Sequence, residues 1–334
     1  MRRSIDVVTG ILILLVACSC NGTGNAQPTP PATPLKVGLG YIPSVQFAPF
    51  YLADQMGYYR NAGLDVTFQN GDDAQLVTLI GSGALDIGLS DGTSVIPAVS
   101  QGIPIVYAGT VYAKFPSVVF AKTSSGITTA AGLAGKTLGI PAKEGSSWIM
   151  LEALLASAGL TTSDLSISTY PDYGQLVAVE QGQVDSATGF ANNEPVQMQL
   201  AGDPVTVLTV DSSTPLPGPG LVVGTSTLAA KKDALRAFVA ATLHAMKDII
   251  TDPQAGLDAA IAVVPELAQD KTTQLAILNA TIAQWTSAYT DAHGLGAIDP
   301  TAWQKSVDFM SGLPDTVVAK PVTVDQLVTQ ELLP

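Results

Sequence analysis

LKVGLGYIPSVQFAPFYLADQMGYYRNAGLDVTF, residues 35–68, reads in turn as strand, loop, helix and strand. Leu35, Val37 and Leu39 form a short apolar run of the kind that suits a buried parallel strand, and Gly40 and Pro43 stop it. Proline is tolerated in a helix only near its start, so Pro49 places the helix start between Val45 and Ala48, with an end near Gly57 or Tyr58. Ala62 and Gly63 turn the chain, and Leu64–Phe68 returns as a strand with Val66 and Phe68 alternating. Such crossovers are right-handed and leave a crevice beyond the carboxyl end of the first strand. Tyr41, Gln46 and Phe47 fall at that end.

Upstream, the chain carries leader signals. Arg2 and Arg3 precede an apolar run from Val7 to Val16, too short for a comfortable membrane span but suited to a signal peptide. The run ends in Leu15-Val16-Ala17-Cys18, which resembles a lipobox, and no cysteine follows Cys20. Residues 1–17 are therefore expected to be a lipoprotein signal peptide and Cys18 the lipidation point, with Cys20 fitting less well. An ordinary secretory signal or an uncleaved anchor is the alternative. A cysteine-free body excludes a disulfide framework and a thiolate metal site. Residues 18–34 are rich in Gly, Asn, Pro and Thr, as in a flexible tether. Two acyl chains hold stably where one does not, so the expected location is the outer face of the cell membrane, through the lipid alone. Removing Arg2, Arg3 and Asp6 leaves 13 basic against 27 acidic residues, a net charge of −14, which argues against nucleic acid as a partner.

The remaining length, roughly 300 residues, exceeds one comfortable core and predicts two lobes. Strand and helix signals alternate, as in an α/β body with parallel-type sheets flanked by helices. Ser117–Lys122 is expected to cross out of the first lobe, and the PLPGPG run at 215–220 to mark the return. Lobe 1 is thus expected over 35–120 and 221–334, and lobe 2 over 121–220. From Lys231 a stripe of apolar residues at three- and four-residue spacing predicts a helical C-terminal tail that backs lobe 1. Two crossings imply a hinged clamp.

Other strand ends supply further candidates. Ser90 and Asp91 lie between a strand and a helix, either as caps or as crevice lining, and both readings stand. Ser146 and Ser147 are expected to cap a helix over Ser146–Ala158, whose free amides can hold a carbonyl or anion. Trp148 in its first turn is expected to form a stacking wall. Tyr112 and Tyr173 are loop aromatics. His244 and His293 are far apart and read as packed or solvated.

The run YIPSVQFAPFYLADQMGYYRNAGLDV (41–66) resembles the opening of solute-binding proteins of ABC importers, in the group of nitrate, taurine and alkanesulfonate receptors. Within that group it is most similar to the branch binding riboflavin and thiamine-pyrimidine precursors. The resemblance implies a two-lobed periplasmic-binding-protein-like fold, a membrane permease with a separate ATPase as partners, and a monomer. GFANNEPVQMQL (189–200) resembles a ligand-facing element of that branch. There Phe190 offers a face, and Asn192, Asn193 and Glu194 offer more polar groups than one helix cap requires, with Glu194 expected to make the directional hydrogen bond.

Bidentate anion clamping favours arginine, yet the only arginines after residue 17, Arg60 and Arg236, fall outside these loops. Aromatics gather there instead, so a planar neutral heteroaromatic is expected. The resemblance narrows this to riboflavin, placed first, or a thiamine-pyrimidine precursor of the formylaminopyrimidine or hydroxymethylpyrimidine type. A small sulfonate or nitrate receptor is a further alternative. So is a sensor domain. A pyrimidine synthase-like enzyme conflicts with the cysteine-free body and two scattered histidines, so neither catalysis, cofactor nor metal is expected.

Overall fold

Residues 31–71, 73–210, 213–313 and 317–334 are described by the computed structural model. The leader, Cys18 and nearly all of the tether lie outside them.

Ten strands are present among these residues: β1 (Thr33–Leu39), β2 (Leu64–Asn70), β3 (Ile87–Asp91), β4 (Ile105–Thr110), β5 (Ser117–Lys122), β6 (Thr137–Ile140), β7 (Ser166–Thr169), β8 (Ser186–Phe190), β9 (Val205–Leu208) and β10 (Pro219–Gly224). They form two sheets, ordered β2-β1-β3-β10-β4 and β7-β6-β8-β5-β9. The opening run forms as its pattern demands. Leu35, Val37 and Leu39 are wholly buried, and β1 runs parallel to both β2 and β3. Likewise β6 runs parallel to β7 and β8.

Both sheets are nevertheless mixed. β10 is antiparallel to β3 and β4, and β5 is antiparallel to β8 and β9. These are the first strands after the chain passes from one sheet to the other. They arrive without the helical crossover that imposes parallel direction and handedness. The whole of Ser117–Lys122 is bonded into the second sheet.

The first helix, Ala48–Gln55, follows a 3₁₀ turn at Val45–Phe47, where the Ser44 hydroxyl accepts the Gln46 N–H at 3.3 Å. It ends where Gly57 adopts φ +73°, a conformation that suits glycine. Phe50 and Tyr59 stack on Phe238 of the long helix Thr225–Thr251, with ring centroids 6.3 and 4.9 Å apart. The tail therefore backs the first sheet, as its periodicity implies. It also does more: the helix Lys271–Ile282 packs on Glu194–Leu200, the helix that follows β8 of the second sheet.

Candidate ligand cavity

A cavity of about 180 Å³ is formed where the carboxyl ends of β1, β3, β6 and β8 converge. One water needs only ~10–15 Å³, so the space is ligand-sized. Its position follows the rule for open α/β sheets, in which ligands bind beyond strand carboxyl ends.

Each wall comes from one strand end. After β1 come Gly40, Tyr41, Gln46 and Phe47. The end of β3 supplies Leu89, Ser90 and Asp91, with Ser94 from the next helix. Beyond β6, the turn and helix start contribute Pro141, Ala142, Glu144, Gly145, Ser146 and Ser147. Tyr173 and Gln175 come from the segment after β7, and Gly189, Phe190, Asn193 and Glu194 from the end of β8. Tyr112 and Pro219 complete the wall from the two passages between sheets. No lysine, arginine or histidine lines it among the described residues.

Tyr41 and Tyr173 meet edge to face, with centroids 5.1 Å apart and planes at 81°. Tyr173 holds φ +60°, the only described non-glycine residue with positive φ. Side chains other than Asn and Asp rarely tolerate that region. The strained backbone aims a ring into the cavity.

Glu194, the first residue of its helix, folds its side chain back over the end of β8. Its Oε2 accepts the Phe190 N–H at 2.8 Å. Gly189 makes this fit, since a Cβ there would lie 2.7 Å from that oxygen. Burial raises the Glu194 pKa, against the opposing effect of the backbone N–H bonds. The Tyr41 hydroxyl is raised too, by burial first and then by the neighbouring Glu194 charge. Tyr112 is raised by burial.

Ser90 Oγ and Gln175 Oε1 belong to the set of buried polar atoms that have no hydrogen-bond partner among the described residues. Buried polar atoms are rarely left so, and both belong to cavity-lining residues.

The structure thus brings Tyr41, Gln46, Phe47, Ser90, Asp91 and Tyr112 together with Ser146, Ser147, Tyr173, Phe190 and Glu194. Asp91 occupies the N-cap position of Gly92–Ser100 without a side-chain capping bond. The helix after β6 starts at Gly145, so Ser146 and Ser147 sit inside its first turn rather than capping it, and the Ser117 hydroxyl donates to Ser147 Oγ at 3.3 Å. Trp148 is not on the cavity wall. It lies one residue further round the helix and packs on the apolar core beside Ile149. Asn192 is wholly buried behind the wall, bonded to Gln46 and Thr281.

Gln175 is the site residue that sequence reasoning missed most clearly. Its signal was slight: a polar side chain opening a helix just after Tyr173. Glu144 and Ser94 gave no pattern beyond a polar residue near a strand end, whereas Asn193 was legible with its polar neighbours Asn192 and Glu194. Among the described residues, no group of His, Cys, Asp and Glu has metal-ligating geometry, and no helix is long and apolar enough to cross a membrane.

Comparison with known proteins places this geometry. The family model described as NMT1/THI5 like matches residues 44–256. A riboflavin-binding protein of Chloroflexus aurantiacus, RibY, is 31% identical over 97% of this chain and 96% of its own length. A 4-amino-5-hydroxymethyl-2-methylpyrimidine phosphate synthase of Aspergillus parasiticus is 25% identical over 65% of this chain and 67% of its own. Among solved structures, the periplasmic aliphatic sulphonate binding protein SsuA of Escherichia coli superposes with a TM-score of 0.68 at 17% identity, covering 90% of this chain and 98% of that one. A Bordetella bronchiseptica chain gives 0.71 at 19%, covering 90% and 95%. At these identities the likeness is one of fold.

Proposed function

This chain belongs to the NMT1/THI5-like family with the fold of solute-binding proteins, and from that premise we propose that it captures riboflavin outside the cell and delivers it to an ABC permease served by a separate ATPase. The observation that carries the ligand class is the cavity wall. Tyr41, Phe47, Tyr112, Tyr173 and Phe190 offer aromatic faces, Ser90 and Gln175 offer unpaired acceptors, and no cation is present among the described lining residues. Aromatic contacts are worth about 0.5–1.5 kcal/mol each beyond area burial, so two faces hold a planar ring well. Acceptors suit the ring N–H and ribityl hydroxyls of a flavin. A phosphate ester would face Asp91, Glu144 and Glu194 with no guanidinium to meet it.

In this reading the protein is a carrier rather than a catalyst, which agrees with its similarity over nearly the whole chain to a binding protein. One lobe is built on the first sheet and the other on the second, with boundaries before Ser117 and before Pro219 rather than after Phe120 and Gly220. They shut about the two passages, and the permease reads the shut form. Diacylation at Cys18 keeps the clamp at the outer face of the membrane. A Cys18→Ala variant is then expected to appear in the soluble fraction.

Titrating the purified protein against riboflavin tests the ligand. Quenching of flavin fluorescence at micromolar protein is expected, and none with the 5′-phosphate ester. No quenching with riboflavin removes that ligand. The second reading, a pyrimidine precursor of thiamine, is favoured by the partial similarity to pyrimidine phosphate synthases, and the same titration with that precursor separates the two.

A further inference from the structure

Asn192 contributes nothing to the cavity surface, yet it is tied to a residue that does. Its Nδ2 donates to Gln46 Oε1 at 2.9 Å and to Thr281 Oγ1 at 2.8 Å. Thr281, wholly buried on the helix Lys271–Ile282, donates its own proton to the Ile277 carbonyl at 2.8 Å. A hydroxyl has one proton to give. Thr281 therefore accepts from Asn192, and Asn192 turns its amino end that way. Both N–H bonds of that end are then used, and Gln46 answers with its carbonyl oxygen. The Tyr112 hydroxyl makes a longer approach to the same oxygen, at 3.5 Å.

Turning Asn192 over is unfavourable. As placed, it leaves one acceptor, Oδ1, without a partner among the described residues. Reversed, it would leave two donors unpaired and set oxygen against oxygen at Gln46. The direction of this chain of bonds is fixed at its far end, by the Ile277 carbonyl. With Oε1 held from behind, Gln46 has its Nε2 amino group left for the cavity it lines.

We propose that Asn192 and Thr281 are positioning residues that hold Gln46 as a hydrogen-bond donor, so that the cavity selects ligands presenting an acceptor at that point, a carbonyl oxygen, bare ring nitrogen or hydroxyl oxygen, and rejects those presenting an amino group. This rests on the cavity being the ligand site. It also gives the helix Lys271–Ile282, in the tail that backs the first sheet, a part in specificity.

Two measurements test it. Hydrogen exchange of side-chain amides, followed by NMR on the ligand-free protein, is expected to show a slow Asn192 amino group and a fast Gln46 one. The opposite order overturns the proposal, whatever the ligand proves to be. Riboflavin titration is then run on wild type, Thr281→Ser, Thr281→Val, Gln46→Ala and the Gln46→Ala/Thr281→Val pair. Thr281→Ser keeps the hydroxyl and is expected to bind like wild type. Thr281→Val is expected to bind about three- to tenfold more weakly, the worth of one hydrogen bond. In the Gln46→Ala background it is expected to add no further loss. Wild-type affinity in Thr281→Val, or a loss that adds in full to that of Gln46→Ala, overturns the positioning role. A wild type that does not quench flavin at all removes the riboflavin reading instead, while the exchange order still decides the positioning.

Discussion

Replacing Tyr173 separates backbone strain from ring contact, because the two alternatives that remove the ring differ only in a methyl group. The residue holds φ +60° while its ring packs edge to face on Tyr41. A Cβ in the left-handed region costs about 1–2 kcal/mol. Glycine escapes that but carries about 0.5–1 kcal/mol of extra backbone entropy in the unfolded chain. Losing the aromatic pair costs about 0.5–1.5 kcal/mol. These terms nearly cancel for Tyr173→Gly, so its stability is expected within about 1 kcal/mol of wild type. Tyr173→Ala keeps the strain and loses the ring, and is expected to be the less stable of the two by about 1 kcal/mol. That order reverses the usual preference for alanine. Both are expected to bind riboflavin about three- to tenfold more weakly. Urea unfolding gives the stability order, and flavin quenching gives the affinity. An alanine variant more stable than the glycine one refutes the strain argument, and unchanged affinity in both refutes the ring's role.

Three further outcomes follow from buried groups. Burial raises the Glu194 pKa in the folded state, so the stability tied to its neutral form is present below the ordinary glutamate range and lost as pH rises through the raised value. Glu194→Gln is therefore expected to gain on wild type in urea unfolding as pH is taken from about 4 to about 7, and a gap that stays constant refutes the assignment. Gln175→Leu removes a buried acceptor without a partner among the described residues, and is expected to unfold later by about 1 kcal/mol while binding riboflavin more weakly; a less stable variant with full affinity reverses both claims. Phe238→Ala empties the stack between Phe50 and Tyr59 and is expected to lose about 3–5 kcal/mol in the same unfolding assay, with affinity kept in the cold because Phe238 does not line the cavity.

Much of this architecture was legible because it is local. The spacing of Leu35, Val37 and Leu39, the Pro49 near a helix start and the Ala62-Gly63 turn each act within a few residues, and all three govern the segments seen. The cavity residues Tyr41, Gln46, Phe47, Ser90 and Asp91 were legible for the same reason, since a strand's carboxyl end can be read from the strand. Antiparallel β5 and β10 were not, because their direction depends on which sheet the chain is entering. Trp148 shows a limit of another kind. One residue along a helix is a turn of about 100°, enough to move a ring from cavity to core. Asn192 and Thr281 are 89 residues apart, and no spacing rule joins them.

The placing of β10 has a consequence for the protein as it is made. A nascent chain that has reached Leu208 already holds all five strands of the second sheet, β5 to β9. The sheet begun first still lacks the strand that joins β3 to β4. In a chain that emerges amino end first, the later-encoded sheet thus has all its strands earlier, and β3 and β4 of the opening sheet lack their shared neighbour until Gly224 has emerged.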